Sequence, residues 1–278
     1  MEFLGNHFIY NGVDSIKYGL IFANVDSDEY LNIGNSPTAK TIFNHQTNKT
    51  YITGNDYADA NISFDIAVVN ENSVAYTSLE QKRIKRWLFA QNDYCKLYID
   101  RYDDPDSYEL SSSGRLGLYL NCRFTNPSAV ISGEGVVGYK FTVECDSAMA
   151  WQDPTVKIIT ASDISLVGEN GIVIDVDSDH IGYTYPKVEI TVSGDGDIEI
   201  CNITDDSERA TKFRPKSEVD NDLKGVLVIN SNTNFVSDNK YDRFVGQNFP
   251  RLLSGQNRIK IGGNITEVKF TWVNRRLL

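Results

Sequence analysis

Carboxylate clusters are the feature of this sequence whose spacing comes closest to a chemical site. Asp175, Asp177 and Asp179 repeat the D-x-D-x-D opening of a calcium loop. An EF-hand also requires Gly at the sixth position and Glu at the twelfth, where this sequence has His180 and Pro186. The sequence therefore excludes an EF-hand at this position.

Two other acidic segments could bind a cation or hydrolyse a glycoside. Asp195 and Asp197 lie in a glycine-rich turn and could complete a looser cation site, although acidic turns are also common on solvated surfaces. The segment 103–106, Asp-Asp-Pro-Asp, offers paired carboxylates, and glycoside hydrolysis needs two of them about 5 to 9.5 Å apart. Because an Asp-Pro step favours a turn, we interpret the segment as a surface loop.

Other catalytic signatures are missing or out of context. Residues 133–138 match G-x-G-x-x-G, but a strand-like alternation follows where a dinucleotide fold needs a helix, so we interpret the glycines as a hairpin turn. His7, His45 and His180 fall in unrelated segments, and the sequence contains neither H-E-x-x-H nor G-x-S-x-G. We assign no catalytic, cofactor-binding or metal-binding residue.

The cysteines, the net charge and the lack of long apolar runs exclude further classes of function. Cys95, Cys122, Cys145 and Cys201 lie far apart without a C-x-x-C pair, which predicts buried free thiols. The 278 residues include 27 basic and 38 acidic side chains, a net charge of −11 that argues against nucleic-acid binding. No apolar run reaches the roughly 20 residues that span a bilayer, and the N-terminal segment does not resemble a cleaved signal.

The elements that would position these residues are mostly strands. Alternation of apolar with polar or small residues, which predicts strands with one buried face, covers 62–68, 139–145, 172–176, 188–192 and 268–272. The continuous apolar run 226–229 favours a central strand. Glycines at 133–135, 194–196 and 262–263 predict tight hairpin turns.

One helix interrupts the strand pattern. Ser78 and Gln81 fit a capping box, which predicts a helix beginning near residue 78. Its apolar stripe consists of Ile84, Trp87 and Leu88. Its other faces carry four basic residues, Lys82, Arg83, Lys85 and Arg86. These side chains indicate either a solvated face or a contact with an anionic partner.

The chain divides into two predicted β domains. The strand pattern ends at a junction containing Pro154, so we predict domains at 1–152 and 153–278. Residues 26–60 have few apolar runs and are predicted to form a protruding loop or hairpin, which favours contact with other molecules.

Aromatic residues leave sugar binding as an alternative. Trp87 and Trp272 fall on predicted buried faces, whereas Trp151, Tyr183 and Tyr185 remain available to stack on a glycan. The same tyrosines equally fit strand edges and interfaces.

The order of several segments resembles the distal tail protein (Dit) family of long-tailed, non-contractile bacteriophages. The similar segments are distributed along essentially the whole chain: Phe8–Ser15, Tyr18–Leu20, Ile84–Leu88, Leu97–Pro105, Gly138–Trp151 and Leu252–Trp272. Each segment alone is weakly specific, because turn glycines and strand aromatics are common. Their order, spacing and total length carry the resemblance, and the last segment is similar to the family's closing hairpin.

The resemblance implies a mostly β fold, with a ring-forming N-terminal domain that carries one helix and a C-terminal galectin-like β-sandwich. It implies a hexameric hub at the virion tail tip, assembled in the host cytoplasm without a cofactor. Such a hub joins the tail tube to tail-associated, fibre or receptor-binding proteins and lets DNA pass. The alternatives are a glycan-binding β-sandwich protein for wall adhesion and a hydrolase using the carboxylates of 103–106 or 175–179.

Overall fold

A computed structural model shows two compact units. The units comprise residues 1–152 with 277–278, and residues 153–276. The described residues are 7–23, 38–44, 49–56, 62–99, 118–133, 135–216, 222–237 and 240–276. Within them, no helix is long and apolar enough to cross a membrane. The candidate carboxylates of 103–106 and His45 lie outside the described residues.

The first unit is built on one antiparallel sheet with the strand order β2-β1-β7-β8-β9-β6-β3, and β10 pairs with β8. Its strands are β1 Phe8–Tyr10, β2 Val13–Asp14, β3 Leu20–Ala23, β4 Thr38–Asn44, β5 Lys49–Asp56, β6 Ser63–Asn70, β7 Cys95–Ile99, β8 Leu118–Ser132, β9 Gly135–Cys145 and β10 Ala150–Gln152. The alternation predicted at 62–68 and 139–145 is confirmed, because its apolar side chains all lie in one core.

Helix α1, Ser78–Phe89, covers that core with the predicted stripe of Ile84, Trp87 and Leu88. The Trp87 indole Nε1 donates a hydrogen bond to the Tyr10 carbonyl oxygen at 2.9 Å. Its ring stacks on Phe8, with centroids 5.8 Å apart and planes 7° apart. One side chain therefore ties the helix to β1.

The predicted capping box is wrong by one residue. Thr77 is the N-cap, and the Glu80 carboxylate accepts hydrogen bonds from the Thr77 backbone N–H at 2.8 Å and hydroxyl at 2.7 Å. Ser78 is the first helical residue, and the Gln81 amide donates to the Tyr76 carbonyl instead. Both pairs have capping-box spacing, but Thr77 has the extended backbone that an N-cap requires.

Two pairs of consecutive strands in this unit form hairpins. β4 and β5 pair with each other in a separate two-stranded sheet, within the segment predicted to protrude at 26–60. β8 and β9 form a longer hairpin, and β7 pairs only with residues 120–122 of β8. Among the described strands, residues 123–132 of β8 therefore pair with β9 alone, which leaves one edge of β8 open.

The second unit is a sandwich of two five-stranded antiparallel sheets, ordered β11-β20-β13-β16-β17 and β12-β19-β14-β15-β18. Its strands are β11 Thr155–Thr160, β12 Ile172–Val176, β13 Lys187–Val192, β14 Ile198–Asn202, β15 Ala210–Phe213, β16 Gly225–Asn230, β17 Phe235–Val236, β18 Phe244–Val245, β19 Gly255–Gly262, β20 Ile265–Trp272 and β21 Arg275–Arg276. The inner faces meet in one apolar core that contains Phe213, Phe270 and Trp272. The predicted fold class is confirmed.

The run 226–229 lies in β16, an inner strand of its sheet as predicted, between β13 and β17, but only one face of the run is buried. Within β16, Leu227 and Ile229 are buried, whereas Val226 is 63% exposed. β16 pairs along its length with β13, but with β17 only at residues 229–230. The outward side chains of the run, Val226 and Val228, are therefore apolar without being part of the core.

Two of the three predicted hairpin turns are wrong. The turn at 133–135 joins the paired strands β8 and β9. The turns at 194–196 and 262–263 instead join strands of opposite sheets, β13 to β14 and β19 to β20. The segment that resembles the family's closing hairpin is likewise a crossing between the sheets. Glycine with positive φ reverses the chain in either case, so the turn alone does not determine pairing.

A second helix, α2, Ala161–Val167, was not predicted. Thr160 and Asp163 form its capping box, and the Asp163 carboxylate accepts a hydrogen bond from the Thr160 backbone N–H at 2.8 Å. None of its side chains is buried. An apolar stripe therefore does not reveal this helix in the sequence.

The cap of α1 gives a first test. We expect Thr77→Ala to lower the free energy of unfolding by about 1 kcal/mol, because the first turn loses its N-cap acceptor. Ser78→Ala is the matched control and should leave stability nearly unchanged. Urea denaturation followed by circular dichroism measures both, and equal effects would contradict the assignment.

The cap should also give stability a dependence on acid pH. Hydrogen bonds from Thr77 hold the pKa of Glu80 below its ordinary value. A carboxylate whose pKa is lower in the folded state than in the unfolded state stabilises the fold at pH values above its unfolded pKa. This stabilisation is lost as the pH falls through the folded-state pKa. Melting curves at decreasing acid pH should therefore converge for Thr77→Ala and the wild type.

Trp87 gives a second test. Trp87→Phe keeps a ring for stacking but removes the N–H donor to Tyr10, so we expect a loss of about 1–3 kcal/mol in unfolding free energy. Trp87→Ala also removes the stacked ring and should cost about 3–5 kcal/mol. An unchanged denaturation midpoint for Trp87→Phe would show that the hydrogen bond does not stabilise α1.

Candidate functional site

Two of the three acids at 175–179, Asp177 and Asp179, pair with one arginine. Asp177 and Arg276 form a bidentate salt bridge, with Nη1 3.0 Å from Oδ1, and Arg276 also lies 3.5 Å from Asp179. Hydrogen bonding from Arg276 holds the pKa of Asp177 below its ordinary value. These carboxylates are therefore part of an ion-paired surface, in which a guanidinium takes the position that a cation would occupy.

The acids at 195–197 are held in a turn. Asp197 pairs with Arg214 at 3.3 Å, and Asn264 donates a hydrogen bond to the Asp195 backbone carbonyl. Throughout the described part of the chain, no three His, Cys, Asp or Glu side chains come close enough to hold a metal ion. The looser cation site is thus not assembled among these residues.

The G-x-G-x-x-G segment contains a hairpin turn, as predicted. Gly135 begins β9, and the chain continues as a strand to Cys145. A Cβ atom at Gly138 would lie 2.1 Å from the Val68 carbonyl oxygen, so this glycine permits close approach of β9 to β6. Its role is strand packing.

Three of the four cysteines lie side by side, which the sequence analysis missed. Cys95 pairs in register with Cys122, and Cys122 pairs with Cys145, across β7, β8 and β9. All four cysteines are free, as predicted, although Cys95 is only partly buried. Burial raises the pKa of Cys122, which keeps its thiol protonated and unreactive.

Tyr183, one of the two tyrosines considered for glycan stacking, contacts charged residues. Arg251 lies over the Tyr183 ring at 3.9 Å and forms a salt bridge with Asp205 at 2.6 Å. The Tyr183 hydroxyl donates to the same carboxylate at 3.2 Å. The Tyr183 and Tyr185 rings are inclined at 55°, so the pair does not present a flat stacking platform.

A cleft beside Arg251 has little space. The cleft is lined by Asn202, Thr211, Arg251 and neighbouring apolar side chains and has room for about one water molecule. A sugar ring does not fit in this cleft.

The three tryptophans are also placed. Trp87 and Trp272 are buried as predicted, and the Trp151 indole donates a hydrogen bond to the Asp146 carboxylate at 3.1 Å.

The most distinctive surface of the first unit is the outward side of α1. Lys82, Arg83, Lys85 and Arg86 are all exposed, as the predicted apolar stripe requires. Within the described residues, none of these four forms a salt bridge. Among the described strands, the β4–β5 hairpin and residues 123–132 of β8 also have edges without a strand partner.

Comparison with solved structures identifies the fold. The Dit protein of phage SPP1, described as a paradigm of the hub adsorption apparatus in phages that infect Gram-positive bacteria, superposes with a TM-score of 0.62. It is 10% identical, and the match covers 96% of this chain and 98% of that chain. The expected Dit-like fold is confirmed.

A chain of the phage p2 baseplate, solved in its activated conformation with strontium, is also similar. It gives a TM-score of 0.51 at 10% identity, covering 96% of this chain and 97% of that chain. No curated protein sequence matches the chain.

Family models account for both units. The model described as the phage tail protein N-terminal domain matches residues 3–147, more than half of the chain. The model described as the phage tail C-terminal domain matches residues 156–272. The chain therefore belongs to the phage tail protein family.

Proposed function

We propose that this protein is a non-enzymatic hub of the phage tail tip. Six copies form a ring that joins the tail tube to tail-associated, fibre or receptor-binding proteins and lets DNA pass. The observation that carries the proposal is the Dit fold along nearly the whole chain, together with the match of both tail-domain models. Such a hub is located at the virion tail tip after assembly in the host cytoplasm.

The open strand edges support assembly of copies around an axis. A closed ring requires a head-to-tail interface, in which one patch of a subunit meets a different patch of its neighbour. The β4–β5 hairpin and the free edge of β8 at 123–132 offer backbone groups that a neighbouring strand would satisfy. Exposed Ile42 on β4 adds apolar surface to the first of these edges.

The charged residues support a structural role over catalysis. Hydrolysis by paired acids needs two carboxylates that face a common substrate across a cleft. Asp177 and Asp179 instead share Arg276, and Asp205 is bound by Arg251. In these positions the carboxylates stabilise the fold.

The net charge supports passage of DNA through the ring. Each subunit carries −11, so six copies carry six times that charge, or −66. Because Lys and Arg side chains hold DNA through its phosphates, a channel that releases DNA should avoid a basic lining. An acidic subunit satisfies that requirement readily.

The mass of the purified protein tests the ring. We expect light scattering to give six times 31.2 kDa, about 187 kDa, and negative-stain microscopy to show rings. A strict monomer at high concentration would contradict the proposal. A rise in melting temperature on adding host wall polysaccharide would instead favour the glycan-binding alternative.

The β4–β5 hairpin gives a more local test of the same proposal. We expect Ile42→Asp to raise the concentration needed for half-assembly, because a charge replaces exposed apolar surface. Thr50 pairs in register with Phe43, so Thr50→Asp adds the same charge on the opposite face of the hairpin. Sedimentation velocity compares the two variants, and equal assembly of Ile42→Asp and the wild type would remove this face from the interface.

A further inference from the structure

The basic face of α1 is the charged surface that the fold leaves without a role. Its four cations, Lys82, Arg83, Lys85 and Arg86, define this face. Within the described part of the chain none of them has a salt-bridge partner, and Lys85 lies 5.8 Å from the Tyr139 ring. The single acid of the helix, Glu80, accepts hydrogen bonds from Thr77, and its charge acts on Arg83 without forming a salt bridge. The four cationic side chains are therefore available to contact another molecule.

The two arginines and the exposed apolar residues of this face are features that protein interfaces share. Leu79, Lys82, Arg83 and Arg86 follow the i, i+3, i+4, i+7 spacing of one helix face, and Leu79 is 59% exposed. Val74, just before the helix, is 57% exposed. Apolar residues beside arginines and a charged rim are typical of protein–protein contacts.

We propose that the basic face of α1 docks on an acidic surface of a neighbouring copy of this chain. The inference rests on the proposed ring. Without these four cations the chain has 23 basic and 38 acidic residues, a net charge of −15. A neighbouring copy therefore presents a predominantly acidic surface, and a local patch of opposite sign attracts it and fixes its orientation.

Opposite charges across the interface would offset the repulsion between acidic subunits when the ring closes. Subunits of equal negative charge repel one another, and this repulsion opposes assembly. A head-to-tail interface lets one patch of each subunit differ in sign from the patch it meets. A cationic helix on an acidic subunit provides that difference.

Nucleic acid is the less favoured partner for the same face. Four cations in each of six subunits would place 24 positive charges along a channel, and such a lining would retain the DNA that the proposed hub conducts. Exposed Leu79 also gives no advantage next to phosphates. The face therefore fits between subunits rather than along the channel.

The test removes the four charges and keeps the helix. The variant replaces Lys82, Arg83, Lys85 and Arg86 with Gln, which has a helix propensity similar to Lys and Arg. We expect the concentration for half-assembly to rise about tenfold at low salt, because charge attraction across the interface is lost. The difference should narrow at 1 M salt, where the screening length falls to about 3 Å.

A matched control separates this interface from general charge repulsion. Lys157, Lys224, Arg258 and Lys260 are exposed and replaced together by Gln, which gives the same net charge of −15. Only the α1 variant should assemble poorly, while circular dichroism and melting curves confirm that both variants fold.

The possible results distinguish this inference from the ring itself. An α1 variant that assembles like the wild type, or no worse than the control, overturns the inference and leaves the hub intact. Normal rings that lose binding to a DNA duplex also overturn it and assign the face to nucleic acid. A wild-type chain that stays monomeric across the salt series overturns both.

Discussion

The contact of Trp87 with β1 determines the orientation of α1. The indole donates to the Tyr10 carbonyl, stacks on Phe8 and lies 5.1 Å from the Tyr18 ring. A helix held by one side chain in three directions cannot rotate about its axis without breaking all of these contacts. Since residues three and four apart share a helix face, burial of Trp87 on one side turns Lys82 and Arg86 to the other.

Local patterns predict strands well and sheet membership poorly. Alternation identifies β6 and β9 because each has one face in the core, and that periodicity is a property of the segment itself. Whether consecutive strands pair depends instead on the partner that each strand finds. The glycine turns at 194–196 and 262–263 look like hairpin turns, yet each crosses between the sheets of the sandwich. The same limit explains the shift of the cap from Ser78 to Thr77, because both hydroxyls precede the apolar stripe.

Functional interpretation of the acids fails for a similar reason. Asp177 and Arg276 are 99 residues apart in the chain, and Asp205 and Arg251 are 46 apart. A D-x-D-x-D spacing therefore looks like a ligand set until the fold brings an arginine to it. The Cys95–Cys122–Cys145 row is equally hidden, because only the register of β7, β8 and β9 aligns these residues. In contrast, the basic face of α1 is visible in the sequence, since a helix face is local.

The proposed conduit of acidic subunits has two conflicting electrostatic requirements. Negative charge favours release of DNA, because few cations then contact its phosphates. The same charge on every subunit raises the free energy of bringing the subunits together. In the proposed interface, segregation of charge within each subunit would meet both requirements, since a few cations attract a neighbour while the acidic balance of the whole is preserved. A short helix is well suited to this segregation, because its 3.6-residue period separates a buried stripe from a charged face within 12 residues.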